Sequence, residues 1–242
     1  MTSLEARQLL RRAEAAQKQL AQLPQEKLDT IVKAIADAID AAATELADMA
    51  VRETGFGNTE DKVTKNRFAS RTLWESIRDM KTVGVLKGAS GDKLWEIGVP
   101  VGVIAAIVPS TNPTSTVCYK AMIALKAGNA IVFSPHPKAM ACTLQAVEVL
   151  RSALGQAGAP EGCVGCLTIP SMDGCRELMQ GDETRLILAT GGPAMVRAAY
   201  SSGKPAIGVG AGNGPAYIHH SADLGHALDC ILRSKTFDFG TV

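Results

Sequence analysis

Glycine-containing turns that follow apolar runs are the first residues whose types and spacing indicate chemistry. Thr190-Gly191-Gly192-Pro193 follows the apolar run 186–189 and opens a helical pattern. Backbone N–H groups at a helix N-terminus are unpaired, and glycines let a ligand approach them, so this turn suits the pyrophosphate of a dinucleotide. A second glycine-rich stretch, 208–214, comes close to G-x-G-x-x-G. It has Asn213 or Pro215 at the third glycine position and no helix directly behind it, so it does not predict that fingerprint.

A zinc or redox site is the second chemistry that the residue types suggest. Cys163 and Cys166 form a C-x-x-C pair, but no second such pair and no paired histidine motif follows. A tetrahedral zinc site needs four ligands. The six cysteines are scattered through the chain, unlike the dense framework of a small secreted protein. Residues 163–169 are predicted to be a strand, and we expect no metal.

Composition excludes several classes of partner. The 242 residues carry a formal net charge of +1, with 46% hydrophobic and 20% charged residues. Such a balance gives no electrostatic reason to bind nucleic acid or an acidic membrane. No apolar run has the length of a membrane span, and the N-terminus lacks the apolar core of a signal peptide. We therefore expect a cytoplasmic protein.

The stretch 102–137 contains the elements that position the first polar turn. Val103–Val108 is a continuous apolar run that predicts a buried strand. Asn112 stands where a helix cap is expected, with Pro113 at the first helical position. A helix over 114–126 and a strand over 130–133 complete a βαβ unit, which implies a parallel sheet with right-handed crossovers.

The same alternation continues to the end of the chain. Patterns of buried residues predict strands at 164–169, 186–189, 206–209 and 216–219, and helices at 138–156, 172–179, 193–201 and 222–235. The predicted fold class is α/β, with a doubly wound, mostly parallel, Rossmann-like sheet over 103–242. Ligands of such sheets bind at the carboxyl ends of the strands.

Two other segments precede this sheet. Residues 1–80 predict three helices, at 2–22, 24–51 and 58–80. The third is rich in basic residues, which we interpret as a solvated face without chemistry: Lys62, Lys65, Arg67, Arg71 and Arg78. Residues 81–102 alternate apolar and polar positions around the turn GASGD, which predicts an antiparallel hairpin projecting from the parallel sheet.

These patterns resemble the aldehyde dehydrogenase superfamily. The shared features are a strand, a polar turn with Asn112 and Pro113, a helix with an inward Lys120, Gly-Asn, a strand and a Pro-containing turn. The wording PSTNPTST and GNAIVFSPHP is similar to the CoA-acylating branch, which converts aldehydes to acyl-CoA thioesters with NAD or NADP. The resemblance implies a small aldehyde and CoA as substrates, a dinucleotide-binding domain over 1–242, and a homo-oligomer formed through the hairpin 81–102. A hairpin that caps the domain's own edge is equally compatible with the pattern.

The resemblance also assigns site residues. Asn112 matches the family's oxyanion donor, whose side-chain N–H stabilises charge on the aldehyde oxygen, while its oxygen is expected to cap the following helix. Lys120 matches a family lysine, to which we assign only a structural or charge-positioning role. The residues expected to bind the cofactor are Ser110, Thr111, Ser134, His136, Pro137, Thr190, Gly191, Gly192, Val209 and Gly210.

Two departures from the family majority favour the acylating branch. Hydrolytic members carry Glu-Leu-Gly-Gly-Lys-x-Pro, whose Glu activates water, and alignment on Pro215 puts Val209 at that position. Without a general base the acyl-enzyme persists for another acceptor, CoA. Hydrolytic members also have a Lys that holds the adenosine ribose, where Ser134 and His136 stand here. We expect weaker, neutral contacts to the ribose, although His136 could also be a plain solvent-exposed turn residue.

The family nucleophile is a Cys in the pattern Phe-x-x-Gly-x-x-Cys. Residues 237–242, FDFGTV, reproduce this pattern up to the Cys, at which point the chain ends. Cys230 fits an apolar helix pattern and is expected in the core. We therefore expect the first half of an acylating aldehyde dehydrogenase, without its catalytic domain. The alternatives are a complete, non-catalytic nucleotide-binding or assembly module, or a fragment of a hydrolytic aldehyde dehydrogenase or acyl-phosphate reductase. No packaging peptide is apparent, but a bacterial microcompartment remains a second location.

Overall fold

The N-terminal segment is helical. The computed structural model describes residues 2–88, 91 and 93–241. Its first five helices are α1 (Thr2–Leu20), α2 (Gln25–Ala41), α3 (Ala43–Thr54), α4 (Thr59–Arg67) and α5 (Leu73–Ile77). The single helix expected over 24–51 is therefore wrong, because Ala42, with φ −88° and ψ 3°, separates two helices. The helix expected over 58–80 contains a π-helical segment, Phe68–Thr72, between α4 and α5.

Two sheets follow. A two-stranded antiparallel hairpin pairs β1 (Gly84–Lys87) with β2 (Glu96–Gly98) and is separate from the main sheet. Its tip, which includes residues 89, 90 and 92 of the expected turn, lies outside the described residues. The main sheet consists of β3 (Val103–Ile107), β4 (Ala130–Ser134), β5 (Val164–Cys166), β6 (Thr184–Thr190) and β7 (Ala206–Val209), all parallel. This confirms the predicted α/β class and the projecting hairpin.

The strand order defines where a ligand can bind. The five strands lie in the order β5-β4-β3-β6-β7, so the chain runs outward from β3 in one direction and then returns to continue from β6 in the other. Neighbouring strands β3 and β6 therefore form the topological switch point, where doubly wound sheets open a crevice at their carboxyl ends.

Helices cover both faces of this sheet. The connecting helices are α6 (Pro113–Lys126), α7 (Met140–Gln156), α8 (Met172–Gln180), α9 (Pro193–Tyr200) and α10 (Leu224–Thr236). α6 and α7 pack against α2, whereas α8 packs against α1. Every residue of β3 and β4 is buried, as expected for strands covered on both sides. Among the described residues, no helix combines the length and hydropathy that a membrane crossing requires.

The C-terminal part differs from the sequence-based expectation. Residues 216–219 are not a strand, and no regular element separates β7 from α10. No residue of α10 is buried, and Cys230, expected in the core, is exposed. The apolar pattern of α10 is present, but no element within the described residues buries it. From β7 onward the large exposed apolar side chains include Ile207, Val209, Tyr217, Leu224, Leu228, Leu232 and Phe239.

Candidate active site

Strand register brings the predicted polar turns to one edge of the sheet. Ile107, the last residue of β3, pairs with Ser134 of β4 on one side and with Ala189 of β6 on the other. The turns that follow these residues therefore begin at the same level, on both sides of the switch point. A direct contact links them: the Tyr119 hydroxyl on α6 lies 3.3 Å from Thr190 Oγ1.

The glycines after β6 are not required by the fold. Gly191 and Gly192 both have ordinary negative or extended backbone angles. A Cβ added at Gly191 would make only an ordinary contact with Met195, at 3.6 Å, and one at Gly192 would meet nothing within 4 Å. Gly191 N–H donates to the Val209 carbonyl at 3.2 Å, which ties the turn to β7. The missing side chains thus leave an open approach to the N-terminus of α9, a cradle that fits a phosphate.

Glu53 of α3 stabilises the turn after β4 through hydrogen bonds to the start of α7. Glu53 accepts the N–H groups of Ala141 and Cys142 at the start of α7, both at 2.8 Å. Burial acts to raise the pKa of Glu53, but these hydrogen bonds outweigh it and hold the pKa below its usual value. In the turn itself, His136 Nδ1 accepts the Lys138 N–H at 3.1 Å. Burial, together with Lys138, lowers the pKa of His136, which favours the neutral imidazole.

Asn112 does not cap α6, so this expectation is wrong. Its backbone angles are φ −140° and ψ 63°, and its side chain makes no cap hydrogen bond. Its Oδ1 instead accepts from Lys65 Nζ at 3.0 Å and lies 3.5 Å from Lys62 Nζ. Two cations compete more strongly for the amide oxygen than a backbone N–H does. The Nδ2 group makes no hydrogen bond within residues 2–88, 91 and 93–241, so it is free to donate to a ligand.

Lys62 and Lys65 belong to a buried cluster centred on Asp238. The Asp238 side chain is fully buried, and its Oδ2 accepts from Lys62 Nζ at 3.0 Å and Lys65 Nζ at 2.6 Å. Its Oδ1 accepts the Asn58 N–H at 2.9 Å, and its own N–H donates to Asp61. Burial lowers the pKa of Lys62, with Asp238 acting in the opposite direction. The prediction of a solvated face is wrong for Lys62, which is 2% exposed, whereas the Lys65 side chain is 19% exposed.

Lys120 is buried and is not exposed at the crevice. Its side chain lies within the fold and donates to the carbonyls of Ile107 and Leu188, both at 2.8 Å. Burial lowers its pKa to about 7. A neutral amine has two hydrogens, which match the two carbonyl acceptors. Lys120 therefore ties β3 to β6 immediately below the switch point.

The remaining candidates differ in their surroundings. Ser110 and Thr111 are partly buried in the turn that leads to Asn112, and the Thr111 carbonyl accepts from Lys62 Nζ at 2.8 Å. Pro137 starts a 3₁₀ turn before α7. Val209 ends β7 with 55% of its surface exposed, and a Cβ added at Gly210 would meet nothing within 4 Å.

The C-x-x-C pair lies at β5, two strands away from β3. Cys163 and Cys166 flank and end β5 and are buried, and burial raises the pKa of Cys166 to about 12. The part of the chain that the structure describes holds no group of three metal-ligating side chains.

Sequence reasoning missed the cluster of Lys62, Lys65 and Asp238 beside Asn112. A signal was available in the helix, because the two lysines stand three residues apart and so share one face of α4, behind the Asn58 cap. Their partner is more than 170 residues away, in the FDFG segment. Spacing alone cannot pair residues at that separation, so only the folded chain reveals the cluster.

The sequence pattern of the aldehyde dehydrogenase family matches residues 1–242. The bifunctional aldehyde-alcohol dehydrogenase AdhE of Escherichia coli K12 is 48% identical over 234 residues, which are 97% of this chain and 26% of AdhE. An acetylating aldehyde dehydrogenase from Geobacillus thermoglucosidasius superposes with a TM-score of 0.97 at 53% identity, covering 100% of this chain and 53% of that one. A Rhodopseudomonas palustris propionaldehyde dehydrogenase, solved with bound CoA and an acylated cysteine, gives a TM-score of 0.84 at 36% identity, over 96% and 53% of the two chains.

The chain is an α/β protein with polar turns at the switch point of a doubly wound sheet, where such sheets bind their ligands. This chain belongs to the aldehyde dehydrogenase family. It spans about a quarter of AdhE and about half of the solved acetylating enzymes. The similarity confirms the resemblance to the CoA-acylating branch.

Proposed function

We propose that this chain is the dinucleotide-binding half of a longer acylating aldehyde dehydrogenase. The reaction is aldehyde + CoA-SH + NAD(P)⁺ → acyl-CoA + NAD(P)H + H⁺, through a thioester on a cysteine beyond Val242. The observation that carries the proposal is the free NH₂ group of Asn112 at the same sheet edge as the open glycine turn. Within that longer enzyme, Asn112 donates a hydrogen bond to the aldehyde oxygen as negative charge develops on it.

The cofactor would be held by the three turns. The N–H groups at the start of α9, with Thr190, Gly191 and Gly192, receive the pyrophosphate, because two open glycines permit close approach. Ser134, His136 and Pro137 contact the adenosine ribose through neutral groups. Ser110 and Thr111 line the approach to Asn112, and Val209 and Gly210 line the edge formed by β7. The bound dinucleotide supplies the hydride acceptor.

Val209 supports the acylating outcome. Its apolar side chain stands at the end of β7, and it cannot accept a proton from water. An acyl-enzyme without a neighbouring general base hydrolyses slowly, and the thiol of CoA then becomes the effective acceptor. Alone, the 242-residue chain is expected to have no dehydrogenase activity, because the reaction begins with attack by the missing thiol.

The hairpin supports a homo-oligomer. Its two strands do not pair with the main sheet. Along the segment 81–102, several apolar side chains are exposed in the single chain: Val85, Leu86, Leu94, Trp95, Ile97, Val99 and Val101. We propose that the segment 81–102, which follows the helices of 1–80 and precedes the sheet region 103–242, packs against another copy of the enzyme. We also propose that the enzyme works in the cytoplasm or in a bacterial microcompartment.

Dinucleotide binding by the 242-residue chain tests the cofactor site. Gly191→Val should abolish NAD or NADP binding in calorimetry, because the added methyl groups block the approach to the α9 N–H groups. Gly155→Val is the control, since a Cβ at Gly155 meets nothing within 4 Å and Gly155 lies at the far end of α7. Equal affinity in wild type and Gly191→Val would place the phosphates elsewhere.

A further inference from the structure

We infer that Lys65, supported by Lys62 and Asp238, is a positioning residue that fixes the orientation of the Asn112 amide and strengthens its NH₂ group as a donor. This inference rests on the proposed function of Asn112 as the oxyanion donor. It assigns a part in the reaction to a helix outside the nucleotide-binding sheet.

The chemistry of the neighbours determines which way the amide faces. A lysine ammonium has three donors and no acceptor. Lys65 Nζ lies 3.0 Å from Asn112 Oδ1, and Lys62 Nζ lies 3.5 Å from the same atom. Rotating the amide by 180° would bring its NH₂ against two cations. The oxygen must therefore face α4, and the NH₂ must face away from it.

Each ammonium is held by a full set of acceptors. Lys65 Nζ donates to Asn112 Oδ1, Asp238 Oδ2 and the Thr241 carbonyl. Lys62 Nζ donates to the Thr111 carbonyl and to Asp238 Oδ2, and its third acceptor is Asn112 Oδ1, at 3.5 Å. Neither amine can rotate without losing a hydrogen bond, so the Asn112 oxygen meets a fixed pair of cations.

A cation on the amide oxygen also changes the opposite end of the amide. Hydrogen bonds in a chain polarise one another, and a charged donor at the oxygen withdraws electron density from the nitrogen. The NH₂ hydrogens become more positive. They then bind a developing oxyanion more strongly than those of an amide in water do.

Asp238 links this arrangement to the segment that precedes the family nucleophile. Asp238 and Phe239 both have positive φ angles, 49° and 52°, which non-glycine residues adopt only when their surroundings enforce it. Because Lys65 Nζ contacts both Asn112 Oδ1 and the Thr241 carbonyl, one ammonium sets the distance between the oxyanion donor and the chain that leads to the thiol.

A double-mutant cycle in the longer enzyme tests the inference. Asn112→Ala should lower kcat about 10²-fold by removing the donor. Lys65→Met, which keeps the aliphatic stem, should lower kcat roughly tenfold with little change in KM, and Lys65→Gln should lie between Lys65→Met and wild type. If Lys65 acts through Asn112, Lys65→Met should cost nothing further in the Asn112→Ala background.

Two different failures can be told apart. A roughly tenfold loss from Lys65→Met in both backgrounds would overturn the positioning role and leave the proposed function intact. An Asn112→Ala variant with wild-type kcat would overturn the oxyanion role of Asn112, and with it this inference.

A second measurement uses the 242-residue chain itself. In a ¹H–¹⁵N spectrum, Lys65→Met should shift the Asn112 side-chain NH₂ signals. Asn66 is the internal control, because its buried NH₂ donates to the Ala43 carbonyl at 3.0 Å and its oxygen accepts from Thr114. Unchanged Asn112 signals beside unchanged Asn66 signals would contradict the inference. Lys65→Gln provides the same reading if Lys65→Met does not fold.

Discussion

Replacing Asp238 by Asn should destabilise the chain through the loss of a charge and of one hydrogen-bond acceptor. Asn has the same shape and tolerates a positive φ, so backbone strain stays constant. The carboxylate accepts from two ammonium groups and from Asn58 N–H. An amide has only one oxygen, so its NH₂ must face either the lysines or the Asn58 N–H. Two adjacent cations are then left without their shared counter-charge.

The magnitude follows from burial. Asp238 is fully buried, and the Lys62 side chain is 3% exposed. Breaking such a pair from one side costs about 3–5 kcal/mol. Release of the segment 237–241 limits the loss, so we expect the lower end, about 3 kcal/mol. For a chain of this size, that corresponds to a fall in melting temperature of roughly 6–12 °C.

The assay is thermal unfolding at pH 7, with hydrogen exchange at the Asn58 amide as a local reading. Asp173→Asn is the matched control, because Asp173 forms an exposed pair with Arg176 at 3.5 Å within one helix, for which we expect a loss below about 0.5 kcal/mol. If Asp238→Asn melted with the control and kept the Asn58 amide protected, the cluster would not hold the C-terminal segment as described.

Three further changes test separate contacts. Gly57→Ala should lower the free energy of unfolding in urea by on the order of 2–3 kcal/mol, because its Cβ would lie 1.8 Å from Asp238 Oδ1 at φ +69°. Gly55→Ala is the control: its φ is +71° but the space around it is open, so it should lose about 1 kcal/mol. Glu53→Gln should be less stable than wild type at pH 7, and the difference in stability should shrink as the pH falls below about 4. The pKa of Glu53 is lower in the folded chain, so its carboxylate stabilises the fold only while it is ionised. The wild type should become more stable between pH 7 and about 10, because in that range the unfolded lysine binds a proton that the folded Lys120, with its pKa of about 7, has lost. Lys120→Met should remove this rise in stability. A stability difference between the two proteins that does not vary with pH would contradict this.

The parallel sheet was predictable because its signals are local. Apolar runs such as Val103–Val108 end in proline or glycine, and Pro113 fixes a helix start, so each βαβ boundary is written in adjacent residues. The observed strands β3 and β4 differ from the predicted spans by one residue each. The break at Ala42 was not predictable, since alanine favours helix and the apolar stripe continues across it.

The site was only partly predictable. The glycine turn after β6 and Asn112 after β3 could be found because each follows a strand. The partners of Asn112 could not be found in this way, because in the sequence Lys62 and Lys65 look like residues of an exposed basic helix. Only the folded chain places Asp238 between them. The same limit applies to 216–219 and to Cys230, whose apolar neighbours predict burial although the structure shows these residues exposed.

The product ratio of the longer enzyme tests the central claim most directly. Free acid and acyl-CoA should be measured with and without CoA, for wild type and for Val209→Glu. Wild type should form mainly acyl-CoA and little acid. Val209→Glu should form more acid without CoA and less acyl-CoA with it, because the new carboxylate can act as a general base toward water. A wild type that releases free acid as readily as it transfers the acyl group to CoA would contradict the acylating assignment.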